Sequence, residues 1–397
     1  MKILQINSVC GVGSTGRIVT DIADTIRRNG HESYIAFGYG NSTEPNSYRM
    51  QNNLYLKCNI LKTRLFGKHG FYNKGATKRL IDWVGEVDPD IIHLHNVHGH
   101  YLNIDMLFRF LKGRQKPVLW TLHDCWSFTG HCAHFDYVGC QRWKKECYSC
   151  PQKRSYPDSW FFDRSQESFK EKKRLFMSMD NMILIAPSEW LANLVKQSFL
   201  KEYPVRVINN GIDLNVFKPF DNDFKNKHHL ENKFIVLGVA SSWGARKGIG
   251  YFLQLGERLG NDYQIIMVGL TEKQKQALPP NIIGITRTNN VQELATLYSI
   301  ADVFVNPTLE DNFPTTNLEA LACGTPVITF NTGGSGESVD ELTGRVVEMG
   351  NIEQLINAIK VVVQDGKDIY RVACTQRAKN YDKYARYMEY IELYQSC

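Results

Sequence analysis

Residues 307–327 hold the densest chemistry in the chain: Glu310 and Asp311 stand just before Phe313, Pro314 and Thr315, and Glu319 follows within a helical pattern. An apolar run ends at Asn306 and helical spacing begins near Thr315, so the helix start would aim unbonded backbone N–H groups at whatever lies above it. A diphosphate suits that place. Acids there also have a plain reading, as charges that favour the amino end of a helix dipole. A second loop, residues 238–248, follows an apolar strand and carries Ser242, Arg246 and Lys247, whose cations could meet the same anion. A third, residues 11–17, is glycine-rich between a strand and a helix, where Gly13 and Ser14 would let a ligand reach backbone amides. Gly11, Gly13 and Gly16 also satisfy Gly-x-Gly-x-x-Gly, but nothing in the second half of the chain reads as a hydride-transfer site.

Histidines crowd two further strand ends, His95 and His98 after residues 91–94 and His123 with Asp124 after residues 118–122. Open α/β sheets bind ligands at that edge. Cys132, Cys140, Cys147 and Cys150, the last two as Cys-x-x-Cys, suit tetrahedral zinc, with Cys125, His131 or His134 able to replace one ligand. Free buried thiols and a redox or iron–sulfur role are the alternatives. Asp88-Pro89-Asp90 has a metal-binding spelling, but it precedes a strand instead of ending one, so it is read as structural.

Residues 307–327 resemble the Glu-x7-Glu signature of glycosyltransferase family 4, a retaining family with the GT-B fold. Seven residues separate Glu319 from Asp311, leaving Glu310 one position out of register. The shorter Asp311 implies a closer donor sugar or a different sugar preference. Residues 238–248 resemble the family's Arg-x4-Lys-Gly loop: Lys247 matches, Ser242 stands where the family has arginine, and Arg246 is the nearby cation that would replace it. Gly13 matches the family's Gly-Gly turn, with Ser14 in place of the second glycine, and His123 resembles its strand-end histidine that touches the transferring sugar. Pro187-Ser188-Glu189-Trp190-Leu191, Asn210-Gly211-Ile212-Asp213 and Thr332-Gly333-Gly334 with Glu337 extend the likeness over nearly the whole chain.

The resemblance implies transfer of a sugar from a UDP-, GDP- or similar nucleotide sugar to a glycan or lipid-linked glycan, in a subgroup tied to bacterial surface polysaccharides. His123, Lys247 and Asp311 would be catalytic. Gly13, Ser14, Ser242, Arg246, Lys247, Asp311, Phe313, Pro314, Thr315 and Glu319 would hold the donor, and His95, His98 and Asp124 would face the acceptor. Catalysis would need no cofactor, because a lysine and a helix end supply positive charge; any zinc would be structural. A sugar-nucleotide epimerase of the same fold is the nearest rival. A zinc-containing nucleic-acid-binding protein is the rival from another class, and it leaves Asp311 and Glu319 unexplained.

These residues need parallel sheets to carry them, and short apolar runs do alternate with helical patterns over most of the sequence. Residues 2–7, 33–37, 91–94, 118–122, 182–186 and 205–208 are predicted strands of a first, acceptor-binding Rossmann-like domain, residues 1–209, with a Cys-rich insertion at about 125–151. Residues 234–239, 263–268, 282–285, 303–305 and 327–330 are strands of a second, nucleotide-sugar-binding domain, residues 210–380, the two domains facing a central cleft. Residues 218–232 read as a surface loop, and residues 381–397 as a helix packing across the junction.

A chain of 397 residues suits two such domains, and 43% hydrophobic with 22% charged residues is ordinary globular composition. Its start lacks a signal-peptide pattern and no apolar run reaches membrane-spanning length, so a cytoplasmic protein with reduced thiols is expected. The net charge of +6 is too mild to argue nucleic acid. From residue 54 to 79 there is no acid, and Lys57, Lys62, Arg64 and Lys68 alternate with Tyr55, Leu61, Leu65 and Phe66. That mixture predicts an anionic membrane surface as a partner, the protein lying peripherally on its inner face.

Overall fold

The computed structural model describes residues 1–220 and 222–397. They divide into two compact units, Met1–Asn209 with Arg386–Cys397, and Asn210–Ala385. In the first unit, β1 (Lys2–Asn7), β2 (Glu32–Phe37), β3 (Ser47–Arg49), β4 (Ile91–Leu94), β5 (Val118–Thr121), β6 (Met182–Ala186) and β7 (Val205–Val207) form one sheet. Its order is β3-β2-β1-β4-β5-β6-β7, with every pair parallel. In the second, β8 (Phe234–Val239), β9 (Tyr263–Val268), β10 (Ile282–Ile285), β11 (Val303–Asn306), β12 (Val327–Phe330) and β13 (Gly344–Val347) run in the order β10-β9-β8-β11-β12-β13, again parallel.

Central strands β4, β5, β11 and β12 are buried at every position, as parallel strands covered on both faces must be. Strand order reverses between β1 and β4 in one sheet and between β8 and β11 in the other. Such switch points open a crevice at the carboxyl ends of the strands. The 307–327 and 238–248 segments leave the adjacent strands β11 and β8, and the 11–17 turn and the histidines leave β1, β4 and β5. The first helix, Gly13–Arg28, buries Ile18, Ile22 and Ile26 on one stripe, and Gly30 follows its end at φ 75°.

Two strands were absent from the sequence reading. β3 is three residues long and nowhere buried, and β13 carries the half-buried Arg345 and the exposed Val346 between its two buried ends, so neither shows the continuous apolar run that marks its neighbours. Within 218–232, Phe224–Lys227 forms a single helical turn that buries nothing.

Alternation along the strands decides what covers the first sheet. Ile3, Ile91, Leu119 and Ile185 pack with Tyr387, Tyr390, Ile391 and Tyr394 of the last helix, Lys383–Gln395. Leu4, Ile92, Trp120 and Leu184 point into the other core. His93 shares the face of Ile91, where the Tyr394 hydroxyl lies 2.7 Å from Nδ1 and the Thr121 hydroxyl 2.8 Å from Nε2. Among the described residues no helix is long and apolar enough to cross a membrane.

Ending the chain after Ala385 removes four buried side chains, each worth about 2 kcal/mol of burial, and takes from His93 its Tyr394 partner. The truncated protein is expected to lose its cooperative melting transition or to aggregate. An unchanged melting temperature would show that the last helix is not part of the core.

Candidate active site

In the second unit, three loops meet backbone to backbone. Gly248 adopts φ +79°, and a Cβ there would lie 2.2 Å from the Pro307 carbonyl oxygen, so only glycine lets the Lys247 turn pass beneath the end of β11. Gly333, at φ +54°, would place a Cβ 1.7 Å from the Asp311 carbonyl oxygen. Hydrogen bonds fasten the same contacts. Leu309 N–H donates to the Arg246 carbonyl at 2.8 Å, Arg246 Nη1 donates to the Glu310 carbonyl at 2.8 Å, and the Thr332 hydroxyl donates to the Leu309 carbonyl at 2.9 Å.

The loops bring the Lys247 ammonium onto Asp311 Oδ2, in a half-buried ion pair with side chains 22% and 19% exposed. Glu310, the neighbour out of register, is buried. Ser242 is exposed at the mouth of the β8 loop, and Trp243 anchors that loop through Nε1 donating to the Val268 carbonyl at 2.8 Å. The Arg246 side chain is occupied with the Glu310 carbonyl and so braces the acidic loop.

The helix Thr315–Ala322 starts beside this pair, with Pro314 at its N-cap position, no side-chain cap and no acid in its first turn. Its first amides therefore keep their attraction for an outside anion. Asn317 locks the helix through its Oδ1, which accepts from Asn306 Nδ2 at 2.9 Å, and through its own Nδ2, which donates to the Ser335 carbonyl at 3.0 Å. Asn210 Nδ2 donates to the Phe313 carbonyl at 2.9 Å, fixing the residue before Pro314. Glu319 is buried, its Oε2 accepting from the Tyr298 hydroxyl at 2.8 Å.

In the first unit, Gly13 begins the first helix at φ +66°, and Gly13 and Ser14 are exposed at a helix start with no side-chain cap. At the ends of β4 and β5, His95 Nδ1 and His123 Nε2 are 3.1 Å apart, and His95 Nε2 meets Gln5 Oε1 at 3.1 Å. His98 bridges Asp124 Oδ2 at 2.8 Å and the Tyr156 hydroxyl at 2.9 Å. Burial holds His123 down at about 4, so its ring is neutral near pH 7. Burial pushes His95 well down too. For Asp124 burial acts upward, but His98 and the Trp126 N–H outweigh it and hold the carboxyl at about 2.

The sequence reading missed Tyr156, which enters this cluster from the Cys-rich insertion, Tyr298, which holds Glu319, and Lys172, a buried lysine in the helix Ser165–Phe176. Each sits far along the chain from the residue it serves and belongs to no local pattern. Asp88 pairs with Arg114 and Lys116 at the surface, in keeping with its structural reading. Cys132, Cys140, Cys147 and Cys150 of the insertion line one cavity.

Two parallel-sheet α/β units with a cationic loop and an uncapped helix at one switch point define a glycosyltransferase of the GT-B fold. Residues 15–216 match the family described as Glycosyltransferase Family 4, and residues 220–385 match Glycosyl transferases group 1. The chain belongs to glycosyltransferase family 4. It is 26% identical over 415 residues to WcaC of Escherichia coli strain K12, assigned as a colanic acid biosynthesis glycosyl transferase, with all of both chains covered. It is 24% identical over 217 residues to the N,N'-diacetylbacillosaminyl-diphospho-undecaprenol alpha-1,3-N-acetylgalactosaminyltransferase of Campylobacter jejuni, covering 51% of this chain and 57% of that one. Among solved structures, Anabaena Alr3699/HepE in complex with UDP-glucose aligns over 100% of both chains with a TM-score of 0.71 and 16% identity.

Burial lowers His93 to about 3 and His100, His123 and His131 to about 4, all below the ordinary 6.5. A histidine whose folded pKa is the lower one takes up its proton on unfolding, so its contribution is complete above pH 6.5 and is lost as pH falls toward 4. Melting temperature should therefore be level above neutrality and drop through that window. His100→Asn, tolerable at the residue's φ of 66°, should make the drop shallower. A variant with the wild-type slope would count against this account.

Proposed function

We propose that this enzyme transfers a sugar, with retention of configuration, from a nucleoside-diphosphate sugar to a lipid-linked glycan during assembly of a bacterial surface polysaccharide. The observation that carries the reading is the Lys247–Asp311 pair beside the uncapped start of the Glu319 helix. A departing diphosphate gathers negative charge on its oxygens. Lys247 and the first-turn amides after Pro314 lie where that charge would be met, so stabilisation grows as the glycosidic bond breaks. With the lysine engaged there, Asp311 turns to the sugar hydroxyls, and Glu319, steadied by Tyr298, accepts from the ribose. His123, neutral near pH 7, offers a hydrogen bond to the transferring sugar without adding a charge. The acceptor hydroxyl attacks the face the diphosphate leaves, with His95, His98 and Asp124 on the acceptor side.

UDP-glucose in the HepE complex supports a uridine donor, and the diphospho-undecaprenol acceptor named for the Campylobacter relative supports a carrier lipid. A lipid substrate calls for a membrane-facing surface. The helix Asn53–Phe66 buries only Asn59 and Thr63, leaving Leu54, Tyr55, Leu61 and Phe66 exposed. Trp160, Phe161 and Phe162 are exposed beside it, where Trp160 N–H donates to the Arg64 carbonyl at 2.8 Å. Arg64 and Lys68 are partly neutralised by Asp158, Glu167 and Glu171, so Lys57 and Lys62 are the basic residues offered to headgroups.

Screening nucleotide sugars for a rise in melting temperature identifies the donor. Lys247→Ala and Glu319→Gln should each then lower kcat/KM on the order of a hundredfold or more while the unliganded melting temperature holds. Transfer at wild-type rates in both would rule out the donor site. In a second experiment, the protein should sediment with phosphatidylglycerol vesicles and not with phosphatidylcholine, and Leu61→Asp with Phe161→Asp should weaken this about tenfold. Equal partition of wild type and double variant would defeat the membrane surface.

A further inference from the structure

Residues 122–164 contain no strand and no α-helix, only the single turns Trp126–Phe128 and Arg142–Lys144. A segment this long without regular structure lacks the ladder hydrogen bonds that hold the rest of the unit. Phe128, Phe135 and Trp143 form a small buried ring cluster, with Phe135 and Trp143 stacked 5.0 Å apart. The remaining anchor is sulfur. Cys132, Cys140, Cys147 and Cys150 line one small cavity beside those rings, and all four are free thiols. Cys132 and Cys150 share a hydrogen bond. Cys147 Sγ accepts from the Gly130 N–H at 3.2 Å, and a side chain at Gly130 would collide with Cys147 Cβ at 2.7 Å and the Ser165 carbonyl oxygen at 2.1 Å.

Beside the sulfurs lies a buried cation. Lys172 Nζ donates to the carbonyls of Trp126 at 2.7 Å and Thr129 at 3.0 Å, and sits 3.4 Å from the Trp126 ring centroid. A buried ammonium is costly unless negative charge stands near it. Burial pulls the Lys172 ammonium down to about 7, with Cys147, Cys132 and Asp124 acting the other way, and Asp124 is already engaged by His98.

We propose that Cys132, Cys140, Cys147 and Cys150 bind one zinc ion as thiolates, and that the Lys172 ammonium offsets the net negative charge of the cluster. Four thiolates around Zn²⁺ leave two negative charges, which a neighbouring buried cation and an amide N–H on sulfur both stabilise. Among the described residues no three such side chains yet stand at metal-holding distances, so binding requires the sulfurs to draw closer together. Cys140 and Cys150 are only half-buried, which leaves the metal a way in. The site is structural and separate from the transfer reaction. It ties down the segment that delivers Tyr156 to His98.

The full chain, produced in zinc-supplemented medium and desalted, should carry about one zinc per molecule by mass spectrometry. Co²⁺ in its place should give the thiolate charge-transfer and tetrahedral d–d absorption bands. Cys140→Ser and Cys150→Ser should lose those bands, whereas Cys58→Ser, at an exposed thiol away from the cluster, should keep them. Lys172→Met should weaken Co²⁺ binding about tenfold. Wild-type protein in which Cys132, Cys140, Cys147 and Cys150 all react as free thiols and no cobalt bands appear would overturn the site whether or not any variant folds. Unchanged Co²⁺ affinity in folded Lys172→Met would overturn the part assigned to the lysine.

Discussion

Close passage of backbone under backbone governs the second unit. The turn after β8 runs beneath the end of β11, and the turn after β12 presses on the residue that carries the Asp311 carboxylate. Neither passage tolerates a Cβ, so Gly248 and Gly333 set how near Lys247 and Asp311 can come. Strand order makes the encounter possible at all, since β8 and β11 are neighbours in space though two strands and their connections separate them in sequence. Buried bonds at Asn317 and Asn210 then fix the helix start beside the pair, so a polar site is held by rigid main chain and not by long side chains.

The first unit solves a different problem, which is how to keep many imidazoles in a low-dielectric place without charging them. His93, His95 and His123 all meet partners that suit a neutral ring: a tyrosine hydroxyl, a threonine hydroxyl, a glutamine carbonyl and one another. His98 pairs directly with a carboxylate, that of Asp124. The polar edge of this sheet can therefore orient hydroxyl groups by hydrogen bonding while carrying little net charge, in contrast to the edge of the second sheet, where Lys247 and Asp311 form an ion pair.

Much of this was legible in the sequence because it is local. Continuous apolar runs mark β4, β5, β11 and β12, and glycine-rich or acidic stretches follow strands within a few residues, so site and scaffold share one window. What escaped was set by tertiary partners. β3 has no fully buried side chain to betray it, and its Tyr48 meets Trp83 only through the fold. Tyr298 and Tyr156 look like any other tyrosine until the fold brings them to Glu319 and His98. Arg246 was legible as a cation beside Lys247, but not its bond to the Glu310 carbonyl, because that depends on Gly248 letting the loops touch.

The Lys247–Asp311 contact also bears on how a charged donor enters. A half-buried pair sets one positive charge against one negative, and each partner is stabilised by the other as long as nothing stronger arrives. A nucleoside diphosphate brings more than one negative charge and finds both the ammonium and the helix amides in one place. On the proposed reading the diphosphate takes the lysine, and Asp311 Oδ2 loses its ammonium while Oδ1 keeps the Asn312 N–H at 2.9 Å. The cheapest replacement for the ammonium is a donor hydroxyl within reach, because a half-buried carboxylate oxygen that gives up its ion-pair partner is costly. A sugar that offers such a hydroxyl replaces the lost contact, and one that does not leaves Asp311 more weakly held. Donor choice among nucleotide sugars would then reside in this one carboxylate, whose short side chain demands a hydroxyl close to the loop.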